Sequence, residues 1–582
     1  MDSPTQKPKR SLAQEGASSG DSPGGATPLS LSHPISPPLK KRRISKQPPA
    51  AAVAAAEEDE DIPETNLNLA QTNTQETEAK TQQNHKPNLP KQKPTNPSQH
   101  QILPSPFHLT TIQDLPPNLN TDTLTLRDLL GDPLISECWE FNYLHDIDFL
   151  LSAFDSDVRH LVQVHVVHGF WKNEDPNRLE LERQAARHKN VVLHAAYLPE
   201  MFGTHHTKMM VLMRHDGTAQ VVIHTANMIV RDWRNMTQAV WRSPVLRPLE
   251  GKEAEGKGEI GSGARFKVDF LNYLRAYDAG RRFKTLGDLV GRLEGYDFSP
   301  VRGALVGSVP GRHHADAPAQ WGWAALREVI AGIPVRGTGA KGKSKSEIVV
   351  QVSSIATLGP TDKWLKETLF SALRGGGKGD AVDFKVVFPT PDEIRRSLDG
   401  YASGGSIHTK TQSAQQKKQL EYLRPVFCHW GNDCAEGKEL DGDVPVKEAG
   451  RKRAAPHIKT YIRYGNKSEK TIDWALLTSA NLSKQAWGEA RSSTGEVRIA
   501  SYELGVLVWP ELYAKDAVMS ASFLQDAVPE EDVKESSGGP SIVSLRMPYN
   551  LPLQPYGSKE VPWVATADHT EPDWKGQIWR HR

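Results

Sequence analysis

Two stretches far apart in the chain repeat one pattern: Gly203 to Asn227 (GTHHTKMMVLMRHDGTAQVVIHTAN) and Pro456 to Asn481 (PHIKTYIRYGNKSEKTIDWALLTSAN). Each offers His-x-Lys, two apolar runs split by a polar turn, and then Ala-Asn. The landmarks are His206, Lys208, Ala226 and Asn227 in the first copy and His457, Lys459, Ala480 and Asn481 in the second. Lys and Asn stand 19 positions apart in one copy (208 to 227) and 22 in the other (459 to 481), a difference that a hairpin of variable length absorbs. A spacing of roughly 250 residues between copies is far too long for a stacked repeat array. The chain is therefore expected to fold as two similar domains, each giving half of one site.

His-x-Lys has a chemical reading when it lies on extended backbone. Residues i and i+2 of a strand point to one face, so an imidazole and an ammonium two apart converge on one anion such as a phosphate. Met209 to Met213 and Thr460 to Arg463 read as strands, and so do Val221 to His224 and Trp474 to Leu477, the runs that each Asn terminates. Helical sequence follows both Asn residues (MIVRDW, LSKQAWG). Each Asn is expected either to cap that helix or to aim its amide at an anion near the helix start. A third His-x-Lys, His408-Thr409-Lys410, serves as a control. It precedes a polar, helix-like run (QSAQQKKQLEYL) with no apolar strand and no Ala-Asn, and reads as surface.

A duplicated His-x-Lys with a following Asn resembles the phospholipase D superfamily, whose usual pattern adds an Asp after a four-residue gap beyond the Lys. Those positions are Met213 and Tyr464 here, a poor match to the lipid-cleaving members. The stretches are similar instead to the tyrosyl-DNA phosphodiesterase branch, which lacks those Asp residues. The likeness continues through WEFNYLHDIDFLL from Trp139, VVIHTANMIVRDWRNMTQAVW from Val221, GSVPGR from Gly307, QVSSIATLG from Gln351, SYELGVLVWP from Ser501 and MPYNLPLQPY from Met547. It covers nearly everything from Phe107 to the C-terminus.

The resemblance implies an α/β fold of two similar α-β-α sandwich domains related by pseudo-two-fold symmetry. It also implies a substrate, the 3′-phosphotyrosyl bond linking single- or double-stranded DNA 3′ ends to a trapped type IB topoisomerase peptide. The reaction it implies runs through a phosphohistidine, with no metal or other cofactor. Two histidines on opposite sides of one phosphorus allow in-line displacement, and the residues alone permit either assignment of roles. The resemblance makes His206 the nucleophile and His457 the general acid and then base. Lys208, Lys459, Asn227 and Asn481 would donate to the non-bridging oxygens, whose charge needs preorganised donors. Gln238 and Glu503 are implied as the groups that hold the second ring nitrogens. Read alone, Glu503 is equally a surface carboxylate at a strand end and Gln238 a helix-surface amide.

Composition bounds the partners. The balance of 71 basic to 70 acidic residues leaves no bulk basic charge, so nucleic-acid affinity must come from a local groove. Three cysteines, Cys138, Cys428 and Cys434, give no CxxC pair, which suits a reducing compartment. Cys428, His429 and Cys434 lack the fourth partner and the spacing of a zinc site. Residues 1 to about 105 contain no aromatic residue and abound in Pro, Ser, Gln, Asn and Lys, a composition expected to be disordered. Within this tail Pro38-Leu39-Lys40-Lys41-Arg42-Arg43 reads as a nuclear localisation signal, with a merely solvated charge run as the alternative. No secretory leader or membrane-spanning run is indicated.

The first folded domain is expected over residues 106–345 and the second over 346–582, with Arg336 to Lys345 as linker and Gly251 to Gly263 as a mobile surface insertion. Helices are expected at Pro176 to His188 and Thr361 to Leu373, and strands at Leu161 to Val167, Asn190 to Ala196, Glu347 to Ser353 and Asp383 to Phe388. Gly375-Gly376-Gly377-Lys378 fails the phosphate-loop pattern, because Ala372 and Gly379 stand where it needs Gly and Ser or Thr. Ser354, Ser483 and Ser353, beside strand ends near the motifs, are candidates for DNA phosphate contacts. Phe202 is a candidate to stack on the substrate or a core aromatic. His313 and His314 read as structural. One chain carries both half-sites, so a monomer is expected. Two other functions fit part of the pattern: a different phospholipase D-type nuclease or lipid phosphodiesterase, and a non-catalytic scaffold that binds DNA ends.

Overall fold

The computed structural model describes residues 101–251, 258–280, 284–316, 318–335, 346–375, 382–431, 445–465, 471–532 and 539–581. The tail with its basic cluster, the linker from 336 to 345 and Cys434 lie outside them. Two sheets dominate, and both follow one plan. In the seven-stranded sheet the order is His108–Leu109, Ala239–Arg242, Ala219–His224, Met209–Arg214, Ile135–Phe141, Gln163–His168 and Val191–Ala195. In the ten-stranded sheet Glu503–Val508, Thr471–Thr478, Thr460–Tyr464, Ser346–Gln351, Val382–Val387 and Phe427–Cys428 take the corresponding places. The senses agree pair by pair. Met209–Arg214 runs antiparallel to both its neighbours, as Thr460–Tyr464 does. The three strands on the far side of each sheet are mutually parallel.

The near-continuous apolar runs follow from burial on both faces. Met209, Val211 and Met213 enter one core while Met210 and Leu212 enter another. In the second sheet Ala475 and Leu477 face the first of these cores, and Trp474 and Leu476 face a third. The shared core holds residues of both sheets, such as Phe141, Val349, Ile462 and Leu504. The helix Gly263–Tyr277 buries Phe266, Phe270, Tyr273 and Leu274 in it. Its first turn is fixed by Ser262, whose hydroxyl accepts from the Arg265 N–H.

The expected strands are present with ends moved by at most three residues. Gln163–His168 starts late because Leu161 is exposed in the preceding turn. The helix at Pro176 runs only to Ala185 and starts on Asp175, which caps the Asn177 N–H. The helix expected over Thr361 to Leu373 is a π-type turn over Trp364–Leu369 followed by an α-helical turn over Phe370–Leu373. Gly263 closes no insertion, since it opens the long helix. The tail boundary also needs correction: Ile102–Leu103 pairs in parallel with Ile542 and Val543. Two apolar residues suffice for a short edge strand, even beside a tail whose composition is polar. The strand Ala304–Ser308 likewise joins the second sheet, against Glu503–Val508.

Gly505 occupies a tight point on that last strand. A Cβ there would stand 2.6 Å from the Leu477 carbonyl oxygen and 2.6 Å from the Thr478 Cβ. Gly505→Ala is expected to cost about 1–3 kcal/mol by overpacking, read as a lower midpoint in denaturant unfolding; an unchanged midpoint contradicts the packing described.

Candidate active site

Each His-x-Lys lies on extended backbone just before the central strand of its sheet, and each is pinned by the other half of the chain. The His206 N–H donates to the Tyr502 carbonyl at 3.0 Å, and the Tyr502 N–H to Thr204 at 2.9 Å. The His457 and Ile458 N–H groups donate to the Thr237 carbonyl at 3.0 and 2.9 Å. Both histidines line one cavity of about 460 Å³, with Asn227 and Asn481 in its wall.

The His206 Nδ1 lies 2.9 Å from Glu503 Oε2, which also accepts from the Ser479 hydroxyl at 2.5 Å. Burial works against ionisation of Glu503, but His206, Ser479 and Lys208 outweigh it and hold the carboxyl below its usual range. An ionised Glu503 fixes the proton on Nδ1 and leaves the Nε2 lone pair toward the cavity. Burial, then the Lys208 and Lys459 charges, push His206 down to about 4 against the pull of Glu503. At neutral pH this imidazole is uncharged, with its Nε2 lone pair free.

His457 is anchored differently. Its Nδ1 lies 3.0 Å from Gln238 Nε2 and 3.3 Å from Asp232 Oδ2. The Gln238 Oε1 accepts from the Thr225 hydroxyl at 2.8 Å and stands 3.3 Å from His457 Nδ1, and that hydroxyl itself accepts from the Ala239 N–H. Nδ1 thus has an amide that donates to it when bare and a carboxylate that accepts from it when protonated. Such a pair suits a ring that must give up a proton in one step and take one in the next. Burial and the charges of Lys459 and Lys208 hold His457 well below its ordinary value.

Both lysines are fully buried. The Lys208 ammonium donates to the His206 carbonyl at 3.1 Å, and Lys459 to the His457 carbonyl, standing 3.2 Å from its Nε2. Burial lowers Lys208 to about 8, with Glu503 and Asp232 resisting, and it lowers Lys459 strongly, aided by Lys208. Neither Asn caps a helix. The helix Lys484–Trp487 is capped by Ser483, and Val230–Arg234 by no side chain. Asn481 Oδ1 instead accepts from the Ser353 and Ser354 N–H groups at 3.1 and 2.9 Å, which leaves its NH₂ as the donor end. Asn227 gives its backbone N–H and one amide hydrogen to Asp232 Oδ2 at 2.8 and 2.9 Å.

Ser353, Ser354, Ser483 and Phe202 all line the cavity. Phe202 is 65% exposed in a left-handed conformation with φ 62°, so it is a rim aromatic and no part of the core. Gln238 and Glu503 are both buried, so the surface readings fail for them. The surface reading of His408-Thr409-Lys410 also fails. His408 exchanges backbone hydrogen bonds with Ser353 and Ile355 at 2.8 and 2.9 Å, and this long-range zipper brings the motif into the cavity wall. His313 is held by the Val309 carbonyl at 2.8 Å, away from the site. His429 is gripped between Glu393 and Glu560, and burial pushes the Cys428 thiol up to about 12. Two residues escaped sequence reasoning. Asp232 is fully buried, and its only sequence signal is an acid in the turn after an Asn. Tyr143 stands edge-on to His206 at 5.6 Å with Lys208 over its ring, and nothing in its spacing marks it.

The family model described as tyrosyl-DNA phosphodiesterase matches residues 106–557. The chain belongs to the tyrosyl-DNA phosphodiesterase family. It is thereby a hydrolase of phosphodiester bonds. A probable tyrosyl-DNA phosphodiesterase of Schizosaccharomyces pombe is 31% identical over 547 residues, spanning 82% of this chain and 96% of that relative. Tyrosyl-DNA phosphodiesterase 1 of Arabidopsis thaliana is 30% identical over 507 residues, 82% of this chain and 77% of its own length. The crystal structure of the yeast tyrosyl-DNA phosphodiesterase superposes with a TM-score of 0.55 at 21% identity, covering 79% of this chain and 98% of that one, and shows the shared phospholipase D-like fold.

The His206 titration tests the anchoring. Its imidazole is expected to titrate near pH 4 by NMR. Glu503→Gln removes the carboxylate that raises this value, so the midpoint should fall further; a rise toward 6.5 would contradict the hydrogen bond.

Proposed function

We propose that this chain hydrolyses the 3′-phosphotyrosyl bond between DNA and a trapped type IB topoisomerase peptide, through a phosphohistidine and without a metal. Both single- and double-stranded 3′ ends are substrates in this reading, and other 3′ adducts are expected to follow them. One observation carries it: two imidazoles, each anchored at Nδ1 from the opposite half of the chain, line one cavity, and a buried lysine donates to the carbonyl of each. Met213 and Tyr464, where lipid-cleaving relatives of the superfamily carry Asp, pack in the shared core. That favours a tyrosyl-DNA substrate over a phospholipid. A single chain completes the site, so a monomer suffices. The basic cluster from Lys40 to Arg43 supports a nuclear location.

In the first step the His206 Nε2 lone pair forms the N–P bond while the P–O bond to tyrosine breaks. The phenolic oxygen leaves with that electron pair and takes a proton from His457, which the ring has gained on binding because the charge of the phosphodiester offsets the lysines that otherwise keep it neutral. In the second step water attacks the phosphorus from the same side, His457 accepts its proton, and the N–P bond breaks with its pair returning to His206. The products are a DNA 3′-phosphate and a tyrosine peptide. Lys208, Lys459 and the two Asn amides meet the charge on the non-bridging oxygens. Phenol has a pKa of about 10, so tyrosine departs readily even with a weak acid. Water needs a base more than tyrosine needs an acid.

An oligonucleotide bearing a 3′-phosphotyrosine, in excess EDTA, is expected to release tyrosine with the wild type and not with His206→Ala. Release abolished by EDTA, or none from the wild type, would end this assignment. His457→Ala is expected to lose about 10²- to 10⁴-fold in turnover and to accumulate a covalent protein–DNA species on denaturing gels. Equal slowing of both steps with no adduct would reverse the roles.

The pH profile follows from the same groups. Attack needs neutral His206 and a cationic Lys208. The free-enzyme rate, kcat/KM, is therefore expected to be lost as pH falls through about 4 and to decline as pH rises through about 8. A plateau that persists to pH 10 would show that Lys208 keeps its proton and that burial does not set its charge.

A further inference from the structure

The third His-x-Lys, which completes neither half-site, lines the same cavity together with an arginine. Arg231 precedes Asp232 and donates from Nη1 to the Ala402 carbonyl at 3.2 Å. Its Nε is buried with no hydrogen-bond partner. Gly405 makes room for it, because a Cβ there would stand 3.0 Å from that Nη1. His408 presents its ring to the same cavity, and burial followed by the Arg231 and Lys410 charges pushes it down to about 4, so it is an uncharged donor or acceptor. Among the described residues no carboxylate pairs with Arg231 or Lys410. Glu503, the carboxylate in the cavity wall, is already taken by His206 and Ser479. Two cations and a neutral imidazole thus face a cavity without a protein counter-charge, an arrangement that suits a ligand oxyanion.

The hydrogen-bond chain says which part of the substrate faces them. The Ser406 hydroxyl donates to Asp232 Oδ1 at 3.2 Å, and Asp232 Oδ2 stands 3.3 Å from His457 Nδ1. The segment from Gly405 to Lys410 therefore belongs to the His457 side of the cavity. In-line attack from His206 puts the tyrosyl oxygen on that side, whereas the DNA strand leaves the phosphorus sideways through its unbroken 3′ oxygen. We propose that Arg231, His408 and Lys410 form a subsite for a carboxylate of the departing peptide, on a residue flanking the tyrosine. This rests on the proposed assignment of His206 as nucleophile and His457 as acid.

The test uses oligonucleotides joined through a 3′-phosphotyrosine to short peptides in which the tyrosine is flanked by Glu, Gln or Lys. The wild type is expected to show about tenfold higher kcat/KM for the Glu peptide than for the Gln peptide, the size of one charge-assisted contact, and the lowest value for Lys. Lys410→Glu, at a half-exposed position, should invert the order of Glu and Lys, and Arg231→Ala should bring the Glu-to-Gln ratio to about one. Equal rates for all three peptides with the wild type would overturn the subsite and leave the phosphodiesterase assignment standing. An unchanged preference for Glu in both variants would overturn it as well. A methylphosphonate at the penultimate DNA linkage provides a further arm: if it slows the wild type and not Lys410→Glu, the anion is a DNA phosphate and the peptide subsite is wrong. Failure of the wild type to cleave any of them would remove the catalytic assignment and the subsite together.

Discussion

Lys208, His457 and Lys459 are buried at one place, and His206 beside them is only 13% exposed. Isolated buried ammonium groups are too costly to survive in a folded protein without compensating charge. Two carboxylates, Glu503 and Asp232, are buried with them and raise the affinity of both lysines for their protons. The compensation is partial, and that has a consequence. Lys208, held at about 8, remains cationic enough to attract a phosphate, while burial and the lysine charges together hold the two imidazoles unprotonated. The same burial that threatens stability keeps both imidazoles neutral, the state that the proposed attack by His206 requires.

Compensation also explains why the two halves cannot act separately. Glu503 lies in the second half and holds the histidine of the first. Gln238 and Asp232 lie in the first half and hold the histidine of the second. The backbone contacts cross in the same way, Tyr502 to His206 and Thr237 to His457. Duplication of one strand plan supplies two equivalent histidine positions, and the exchange of partners sets the separation of the rings. A half-domain alone would keep its His-x-Lys but lose the group that fixes its tautomer.

Whatever depended on local pattern was legible in the sequence. The paired apolar runs after each His-x-Lys become the central strands because both of their faces are buried, and the four-part repeat located both half-sites. Contacts set by long-range pairing were not legible. Asp232 shows only as an acid in a short turn, and its weight comes from Asn227, Ser406 and His457 meeting on one carboxylate. His408 was misread because the polar helix after it dominates its neighbourhood, whereas its burial comes from a strand edge more than 50 residues earlier, at Ser353 and Ile355. The π-type turn at Trp364 departs from the 3.6-residue period for which sequence patterns are read.

The absence of an Asp at positions 213 and 464 is compensated within the same geometry. Met213 and Tyr464 are free to fill the shared core, and the anchoring carboxylates come from Glu503 and Asp232. The two anchors are chemically unlike: a carboxylate alone on His206, and a carboxylate with an amide on His457. A phosphodiester entering between Lys208 and Lys459 brings one negative charge to the cations that keep His457 unprotonated. Its arrival must raise the proton affinity of that ring. In the proposed reaction binding therefore loads His457 with the proton that the departing tyrosine takes, the ring left neutral then serves as the base toward water, and departure of the product phosphate lets the regained proton go before the next substrate binds.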